Sequence, residues 1–285
     1  MTLFIRYLTL FLTLSIITFG CKTSEPVKPV DAIEKLAPEL GEDEYGIEEK
    51  DIARAEGIHE YSGVHRLGNQ EIKLRFLKKG KGLTFINLHD NENTSVKAAF
   101  KVLDSLGGRL IELRHTGERN ILFKLNSTTY EFDPNRMFTD LGAKTSLEQY
   151  SKMSSKAHKS IRALAKRVVD SLDRNIIITL HNNSDENYSS LSYLDEYKTD
   201  AAAVFINPER DADDFFFVTT YGLFEKFRSL GYNTVLQNNM TMTDDGSLSV
   251  LAGRQEIPYI NVEAEHGHLE EQVEMMFALM RVLDI

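Results

Sequence analysis

Apolar residues fall in short runs along the chain, and the way polar residues interrupt these runs predicts strands. Residues 71–77 alternate between polar and apolar, which is typical of a half-exposed strand. Residues 83–88 and 176–180 are nearly continuous in apolar character, as expected of strands covered on both faces. Further strands are predicted at residues 109–113, 120–125, 201–206, 215–219, 234–237 and 259–262.

Other stretches carry their apolar residues on one helical stripe. In residues 95–106 the stripe consists of Val96, Ala99, Phe100 and Leu103, and the run ends at two glycines. Further helices are predicted at residues 146–172, 221–230 and 269–283. Strands that alternate with helices predict an α/β fold of three αβα layers, with a central mixed, mostly parallel twisted sheet. Sites in such sheets form at the carboxyl ends of strands.

The first part of the chain differs in character from the rest. Arg6 is the only charge before Cys21, residues 8–19 are apolar, and a small residue directly precedes the cysteine. The apolar run is short for a membrane span, so we expect residues 1–20 to be a lipoprotein signal peptide and Cys21 to be the lipidated N-terminus. An ordinary secretory signal or an uncleaved anchor would also fit the run.

Composition divides the remainder into two parts. Residues 21–56 are rich in proline and then in acidic residues, which predicts a flexible tether. Residues 57–285 are long enough for one well-buried domain. Cys21 is the only cysteine, which excludes disulfides, a cysteine nucleophile and a thiolate zinc site from that domain. The net charge of −10 argues against a nucleic-acid partner. We expect a lipid-anchored protein of the bacterial cell envelope, facing the periplasm or the cell surface.

Two histidines and a glutamate follow predicted strands. His89 directly follows residues 83–88, His181 directly follows residues 176–180, and Glu92 comes three positions after His89. That spacing lets two side chains of one turn converge on one metal ion. Three protein ligands leave a fourth position open, which is the arrangement of catalytic zinc. A helix-start glutamate beside a hydrogen-bonded histidine would produce the same spacing.

Residues 133–138, Asp-Pro-Asn-Arg-Met-Phe, lie between the two histidines. The planar guanidinium of Arg136 is suited to hold a carboxylate through two parallel hydrogen bonds, and the amide of Asn135 can add another. Asp-Pro-Asn is also strong turn chemistry, so a turn without a binding role is the other interpretation.

Taken in chain order, these pieces and the run that ends at Glu263 resemble the zinc carboxypeptidase family, including its aspartoacylase/succinylglutamate desuccinylase branch. The resemblance covers residues 89–263, and Pro134 departs from the family's usual aliphatic residue. It implies that residues 57–285 are a zinc carboxypeptidase-like catalytic domain.

The resemblance also implies a role for each motif. His89, Glu92 and His181 would bind one Zn²⁺ ion, and Asn135 and Arg136 would hold the terminal carboxylate of the substrate.

A glutamate after the last buried strand would be the general base, which takes a proton from the attacking water and passes it to the leaving amine. Glu263 fits that place, and Glu265 is its rival. An upstream arginine would stabilise the developing oxyanion, a role for which Arg119 is preferred to Arg114. Arg254 is a further candidate for substrate binding. Family peptidases often add a tyrosine, for which the order in the chain allows Tyr188, Tyr193, Tyr197, Tyr221, Tyr232 and Tyr259.

The function expected from the resemblance is a lipid-anchored, zinc-dependent hydrolase that cleaves an amide bond next to a free carboxylate. Its substrate would be a peptide or a peptidoglycan stem, and its membrane partner would be reached through the lipidated N-terminus. The alternative among hydrolases is an N-acylamino-acid deacylase of the aspartoacylase type. The alternative outside them is a non-catalytic envelope lipoprotein that only captures carboxylate ligands.

Overall fold

The structure, a computed structural model, describes residue 52, residues 55–184 and residues 187–285. The predicted signal peptide, Cys21 and most of the predicted tether lie outside these residues. A nine-stranded sheet has the strand order β1-β2-β4-β3-β7-β11-β9-β10-β8. Its strands are β1 (His59–Leu67), β2 (Gln70–Lys79), β3 (Thr84–Asn87), β4 (Gly108–Arg114), β7 (Ile177–Asn183), β8 (Ala201–Phe205), β9 (Phe215–Val218), β10 (Thr234–Gln237) and β11 (Tyr259–Glu265). A separate two-stranded sheet pairs β5 (Ile121–Leu125) with β6 (Thr128–Phe132).

The centre of the large sheet is parallel. Strands β4, β3, β7 and β11 are parallel neighbours. Strands β2 and β9 flank them in antiparallel pairing, and the edge strands β1 and β8 run in the same direction as the central four. The carboxyl ends of β3, β7 and β11 therefore lie side by side at one end of the sheet, where open α/β sheets form their sites.

In residues 55–184 and 187–285, six α-helices cover both faces of the sheet: α1 (Asn93–Leu106), α2 (Asp140–Tyr150), α3 (Ser155–Val169), α4 (Tyr221–Ser229), α5 (Leu248–Arg254) and α6 (Leu269–Val282). Helices α1, α4 and α6 pack in one core, and helices α2, α3 and α5 pack in the other. Successive residues of a strand serve opposite cores, as Phe85 and Ile86 of β3 do. The predicted three-layer αβα fold with a mixed sheet is confirmed.

Several local predictions differ from the structure. The single helix predicted at residues 146–172 is instead two helices, because Ser151 leaves the helical conformation and the Ser154 hydroxyl caps the start of α3. The strand predicted at residues 120–125 lies in the small sheet. Strand β1 was not predicted, since most of its side chains are exposed and no apolar alternation marks it. Within the part of the chain that the structure describes, no helix has the length and apolar character that a membrane crossing needs.

Candidate active site

The carboxyl ends of β3 and β7 place three donor side chains next to one another. His89 follows β3, His181 lies near the end of β7, and Glu92 is the residue before α1. Hydrogen bonds within the turn that carries His89 and Glu92 hold it in place. The Asn87 side-chain amide donates to Ser95 Oγ at 2.8 Å, and the Glu92 backbone amide donates to the His89 carbonyl at 3.2 Å.

The nitrogen and oxygen atoms of these three side chains, which we call the trio, meet in a small volume. His89 Nδ1 is 2.6 Å from Glu92 Oε1, and His181 Nδ1 is 2.8 Å from Glu92 Oε2. The two Nδ1 atoms are 3.2 Å apart, and all three side chains are buried. The structure therefore brings together the three residues that were predicted as metal ligands.

Burial and mutual contact set the charges of the trio. Burial by itself lowers the pKa of His89, but the carboxylates of Glu92 and Asp133 outweigh burial and raise this pKa to about 9. Burial prevails at His181, whose pKa is lowered although Glu92 opposes the change. Burial would raise the pKa of Glu92, but the two histidines hold it well below its usual range. Glu92 is therefore ionised at neutral pH, as a carboxylate ligand has to be.

The donor set fits a zinc ion. Ligands about 2.1 Å from a tetrahedral zinc lie about 3.4 Å from one another. The two Nδ1 atoms, 3.2 Å apart, are close to that spacing, whereas the Glu92 oxygens lie 2.6 and 2.8 Å from them, at hydrogen-bond distances. His89 Nε2 is 2.8 Å from Asp133 Oδ1. A carboxylate on the far nitrogen fixes the orientation of the ring and makes the other nitrogen a better ligand. The trio is thus a candidate metal site.

Arg119 reaches the trio from residues 115–120, the loop between β4 and β5. Its Nη1 is 2.9 Å from Glu92 Oε1, and its Nη2 is 3.6 Å from Asp133 Oδ2. About half of the side chain is exposed (47%), and the residue lines the cavity described below. Arg114, the other candidate, pairs with Asp90 instead, at 2.7 Å.

Asn135 and Arg136 lie in one turn of 3-10 helix that starts at Asp133. The Asp133 Oδ1 atom accepts the Asn135 backbone amide at 2.7 Å, so one carboxylate orders both this turn and the first histidine. Asn135 Nδ2 is 3.5 Å from His181 Nε2, and Arg136 Nη1 is 2.8 Å from Asp245 Oδ2. The segment is a turn, as its sequence indicates, and Asn135 also reaches the trio, whereas Arg136 pairs with an acidic residue of another segment.

Strand β11 places Glu263 opposite His181 in the register of the sheet. The side chain is buried, with 4% of the residue exposed, and Asn261 Nδ2 donates to its Oε2 at 2.7 Å. Burial and then the neighbouring charge of Glu92 raise the pKa of Glu263 to about 8. A buried carboxyl group with such a pKa is suited to accept and release a proton near neutral pH.

The rival carboxylate, Glu265, faces a different group. Its Oε2 is 3.5 Å from His268 Nε2, and His268 Nδ1 is 3.0 Å from Asp214 Oδ2. Together with the exposed Asp211, Glu265 and His268 have donor atoms close enough to hold an ion, but none of these residues lines the cavity of the trio. His266 is exposed and lines that cavity.

Most of the predicted site residues line one cavity of about 720 Å³. The predicted site residues on its wall are Glu92, Arg119, Asn135, Arg136, His181 and Glu263. Of the six candidate tyrosines, those on the wall are Tyr188, Tyr193, Tyr197 and Tyr259.

Two further tyrosines and one arginine lie elsewhere. Tyr221 is exposed, and the Tyr232 hydroxyl donates to Glu274 at 2.8 Å. Arg254 pairs with Asp244 at 2.7 Å and is not among the described residues that line the cavity.

Sequence reasoning missed the acidic residues that hold the site residues in place. Asp133 was noticed only as part of a motif, and its contact with His89 was not predicted. Asp90 and Asp245 were not singled out at all. Position next to His89 was a signal for Asp90, but no sequence feature links Asp245 to Arg136, since the two are far apart in the chain.

Comparison with solved structures finds distant matches, two of which are described below. No family model and no curated protein matches the chain. A candidate metallopeptidase from Shewanella amazonensis SB2B aligns with 79% of this chain and 85% of its own, at 11% identity and a TM-score of 0.37. A metallo-carboxypeptidase from Burkholderia cenocepacia aligns with 84% of this chain and 70% of its own, at 9% identity and a TM-score of 0.41.

Proposed function

We propose that this protein is a zinc-dependent hydrolase that cleaves an amide bond next to a free carboxylate, in the manner of a carboxypeptidase. One observation carries the proposal. His89 Nδ1, His181 Nδ1 and the Glu92 carboxylate converge, with separations of 2.6 to 3.2 Å, beside a cavity that also holds the buried carboxyl group of Glu263. Metal ligands next to a proton acceptor in one concave site are the minimum that metal-assisted hydrolysis requires.

Arg136 and Asn135 would bind the carboxylate of the substrate. Asp245 holds one end of the Arg136 guanidinium at 2.8 Å, and Asp245 is itself fixed by the backbone amide of Ser247 at 2.8 Å. This leaves the other guanidinium nitrogens for two parallel hydrogen bonds to a carboxylate. The Asn135 Oδ1 atom accepts the Leu248 amide at 3.3 Å, so Nδ2, which lies 3.5 Å from His181 Nε2, is the group that would donate to a ligand.

Arg119 would act at the carbonyl of the scissile amide. The trio would hold a zinc ion, which would supply Lewis acidity and lower the pKa of water. The half-exposed guanidinium of Arg119, anchored on Glu92, would donate to the carbonyl oxygen as negative charge develops there.

Glu263 would move the proton. Its pKa of about 8 keeps both protonation states accessible near neutral pH. Asn261 fixes Oε2 at 2.7 Å, which leaves Oε1 to take a proton from the attacking water and to deliver it to the leaving amine.

We further propose that the substrate is a peptide or a peptidoglycan stem in the cell envelope, where a lipidated Cys21 would hold the enzyme at a membrane. The support for this location is the apolar run that ends at the chain's only cysteine, followed by a polar tether.

The proposal is tested by metal analysis and hydrolysis with one preparation. The purified protein is assayed for bound metal, then incubated with free-carboxylate peptides, their C-terminally amidated forms, a stem peptide and N-acylamino acids. We expect one zinc per chain and release of the terminal residue from free-carboxylate peptides alone. His181→Ala should lose metal and activity, whereas His158→Ala, which replaces a histidine paired with Asp140 outside the cavity, should keep both.

Each outcome assigns a function class. Hydrolysis confined to N-acylamino acids would make the protein a deacylase of the same mechanism. Bound zinc without hydrolysis of any substrate, or a chain that binds no zinc, would contradict the proposal.

A further inference from the structure

Asp90 lies between the site residues His89 and Glu92 in sequence, and its carboxylate contacts a different segment of the chain. The residue is buried, with 4% exposed. One carboxylate oxygen, Oδ2, accepts the backbone amides of His115 at 2.6 Å and Gly117 at 2.8 Å. The other oxygen, Oδ1, is 2.7 Å from Arg114 Nε. Asp90 thus contacts three N–H donors at the end of β4 and in the loop that follows it: it accepts the two backbone amides as hydrogen bonds and forms an ion pair with the Arg114 guanidinium.

Two of these donors belong to the loop that carries Arg119. Residues 115–120 form no helix or strand. Gly117 has a φ of +79°, a conformation that glycine adopts without strain, which turns its amide toward Asp90. The far end of the loop delivers the Arg119 guanidinium to Glu92 Oε1 at 2.9 Å.

The geometry points to Asp90 as a positioning residue for Arg119. This inference rests on the proposed function, in which Arg119 donates to the substrate carbonyl. The segment 89–92 carries two metal ligands, and Asp90 ties the loop of Arg119 to that same segment. The ligands and the arginine are therefore held as one unit, and displacement of a catalytic group by about 1 Å is enough to slow an enzyme about 100-fold.

An asparagine side chain cannot replace this carboxylate. If the amide oxygen introduced by D90N accepted the two backbone amides, the new NH₂ group would face the Arg114 cation. If the introduced side chain flipped, its NH₂ group would face the two backbone donors. Neither orientation satisfies both sides, although the volume is nearly unchanged.

The test compares D90N with a matched control, D214N. Asp214 is also buried, accepts the Glu265 backbone amide at 3.0 Å and contacts a basic side chain, His268, but it does not line the cavity. For D90N we expect kcat on a free-carboxylate peptide to fall about 10- to 100-fold. KM and zinc content should stay unchanged, because the proposed carboxylate-binding residues Asn135 and Arg136 and the metal ligands are untouched. D214N should keep the wild-type kcat.

A double variant separates positioning from general damage. If Asp90 acts through Arg119, D90N/R119A should be no slower than R119A, so the two losses do not add. Additive losses would show that Asp90 acts by another route and would overturn the inference.

Amide hydrogen exchange gives a readout that needs no activity. In the wild-type protein the amides of His115 and Gly117 should exchange more slowly than those of Thr116 and Glu118, and D90N should abolish that difference while D214N preserves it. Equal exchange at all four amides in the wild type would overturn the inference, and this result can be obtained even if D90N does not fold. If the wild-type protein hydrolyses nothing while D90N releases these amides, the proposed function fails, but the link between Asp90 and the loop of Arg119 remains.

Discussion

Gly246, next to Asp245, closely approaches the segment of Asn135 and Arg136, so an added methyl group there should selectively damage the proposed binding of the substrate carboxylate. Its φ is +84°, and its carbonyl accepts the Phe138 amide at 2.9 Å. A Cβ at this position would overlap the carbonyl oxygen of Arg136 and would lie 2.6 Å from Gly142 Cα. Both obstacles are backbone, which cannot swing aside as the end of a side chain can.

Two effects set the loss of stability expected for Gly246→Ala. The left-handed backbone conformation disfavours any L-residue with a Cβ by about 1–2 kcal/mol. Inserting a methyl group into tightly packed surroundings adds about 1–3 kcal/mol. The free energy of unfolding should therefore fall by about 2–5 kcal/mol. Because relief of the overlap moves the backbone of Arg136, kcat/KM for free-carboxylate substrates should fall by at least about tenfold, as for other displaced binding groups.

Two other glycines separate the terms. Gly80 has a φ of +58° and open space around its Cβ position, so Gly80→Ala measures the backbone term alone. Gly142 has no positive φ, but its Cβ would meet the Gly246 backbone, so Gly142→Ala measures the overlap. Urea unfolding gives the stability of each variant, and zinc analysis together with kcat/KM reports on the site.

The expected order is a loss of about 1–2 kcal/mol for Gly80→Ala, from the backbone term alone, and a larger loss for Gly246→Ala. Gly80→Ala should keep wild-type activity, and Gly246→Ala should keep its zinc, because the trio lies on other segments. If Gly246→Ala matches Gly80→Ala in stability and activity, the close approach of the two loops is not a real constraint and the reasoning is wrong.

Three further predictions concern the site and the N-terminus. Glu263→Gln should keep zinc but slow single-turnover hydrolysis by about 10²–10⁴-fold, whereas Glu265→Gln should have a much smaller effect; the reverse result would identify the other carboxylate as the base. Arg136→Lys keeps the charge but loses the planar fork, so kcat/KM should drop for free-carboxylate substrates and hardly change for amidated ones; equal losses would mean a structural role. Cys21→Ser should release the protein from the membrane fraction without changing its unfolding curve, and unchanged fractionation would refute the lipid anchor.

The sequence by itself was enough to predict the layered architecture. Runs of continuous apolar character mark strands with cores on both sides, and residues 83–88 and 176–180 indeed overlap β3 and β7. Parallel neighbours deliver their carboxyl ends to one end of a sheet, so two strand-end histidines and Glu92 could be predicted to converge. These features depend on periodicity and chain direction, which are local properties.

Local sequence patterns did not predict elements whose ends or existence depend on polar contacts or on strand pairing with exposed side chains. The helix predicted over residues 146–172 is interrupted because the Ser154 hydroxyl accepts the Ala157 amide at the start of α3 at 3.3 Å, an option that helical periodicity does not record. Strand β1 is held by its pairing with β2 along its whole length, and its exposed side chains leave no apolar signal.

The resemblance favoured Glu263 over Glu265, but only the tertiary structure gives a physical reason for the difference. Residues two apart share one face of a strand, so the alternation of the chain cannot separate them. In the structure Glu263 pairs with His181 of β7 on one side and with Phe215 of β9 on the other. The pairing with β9 ends at Glu263, so Glu265 pairs with Asn183 of β7 alone. The deeper position removes water from Glu263 and brings it near Glu92, and these two effects raise its pKa to about 8. Contacts between segments distant in sequence create both effects, which is why no local pattern encodes them.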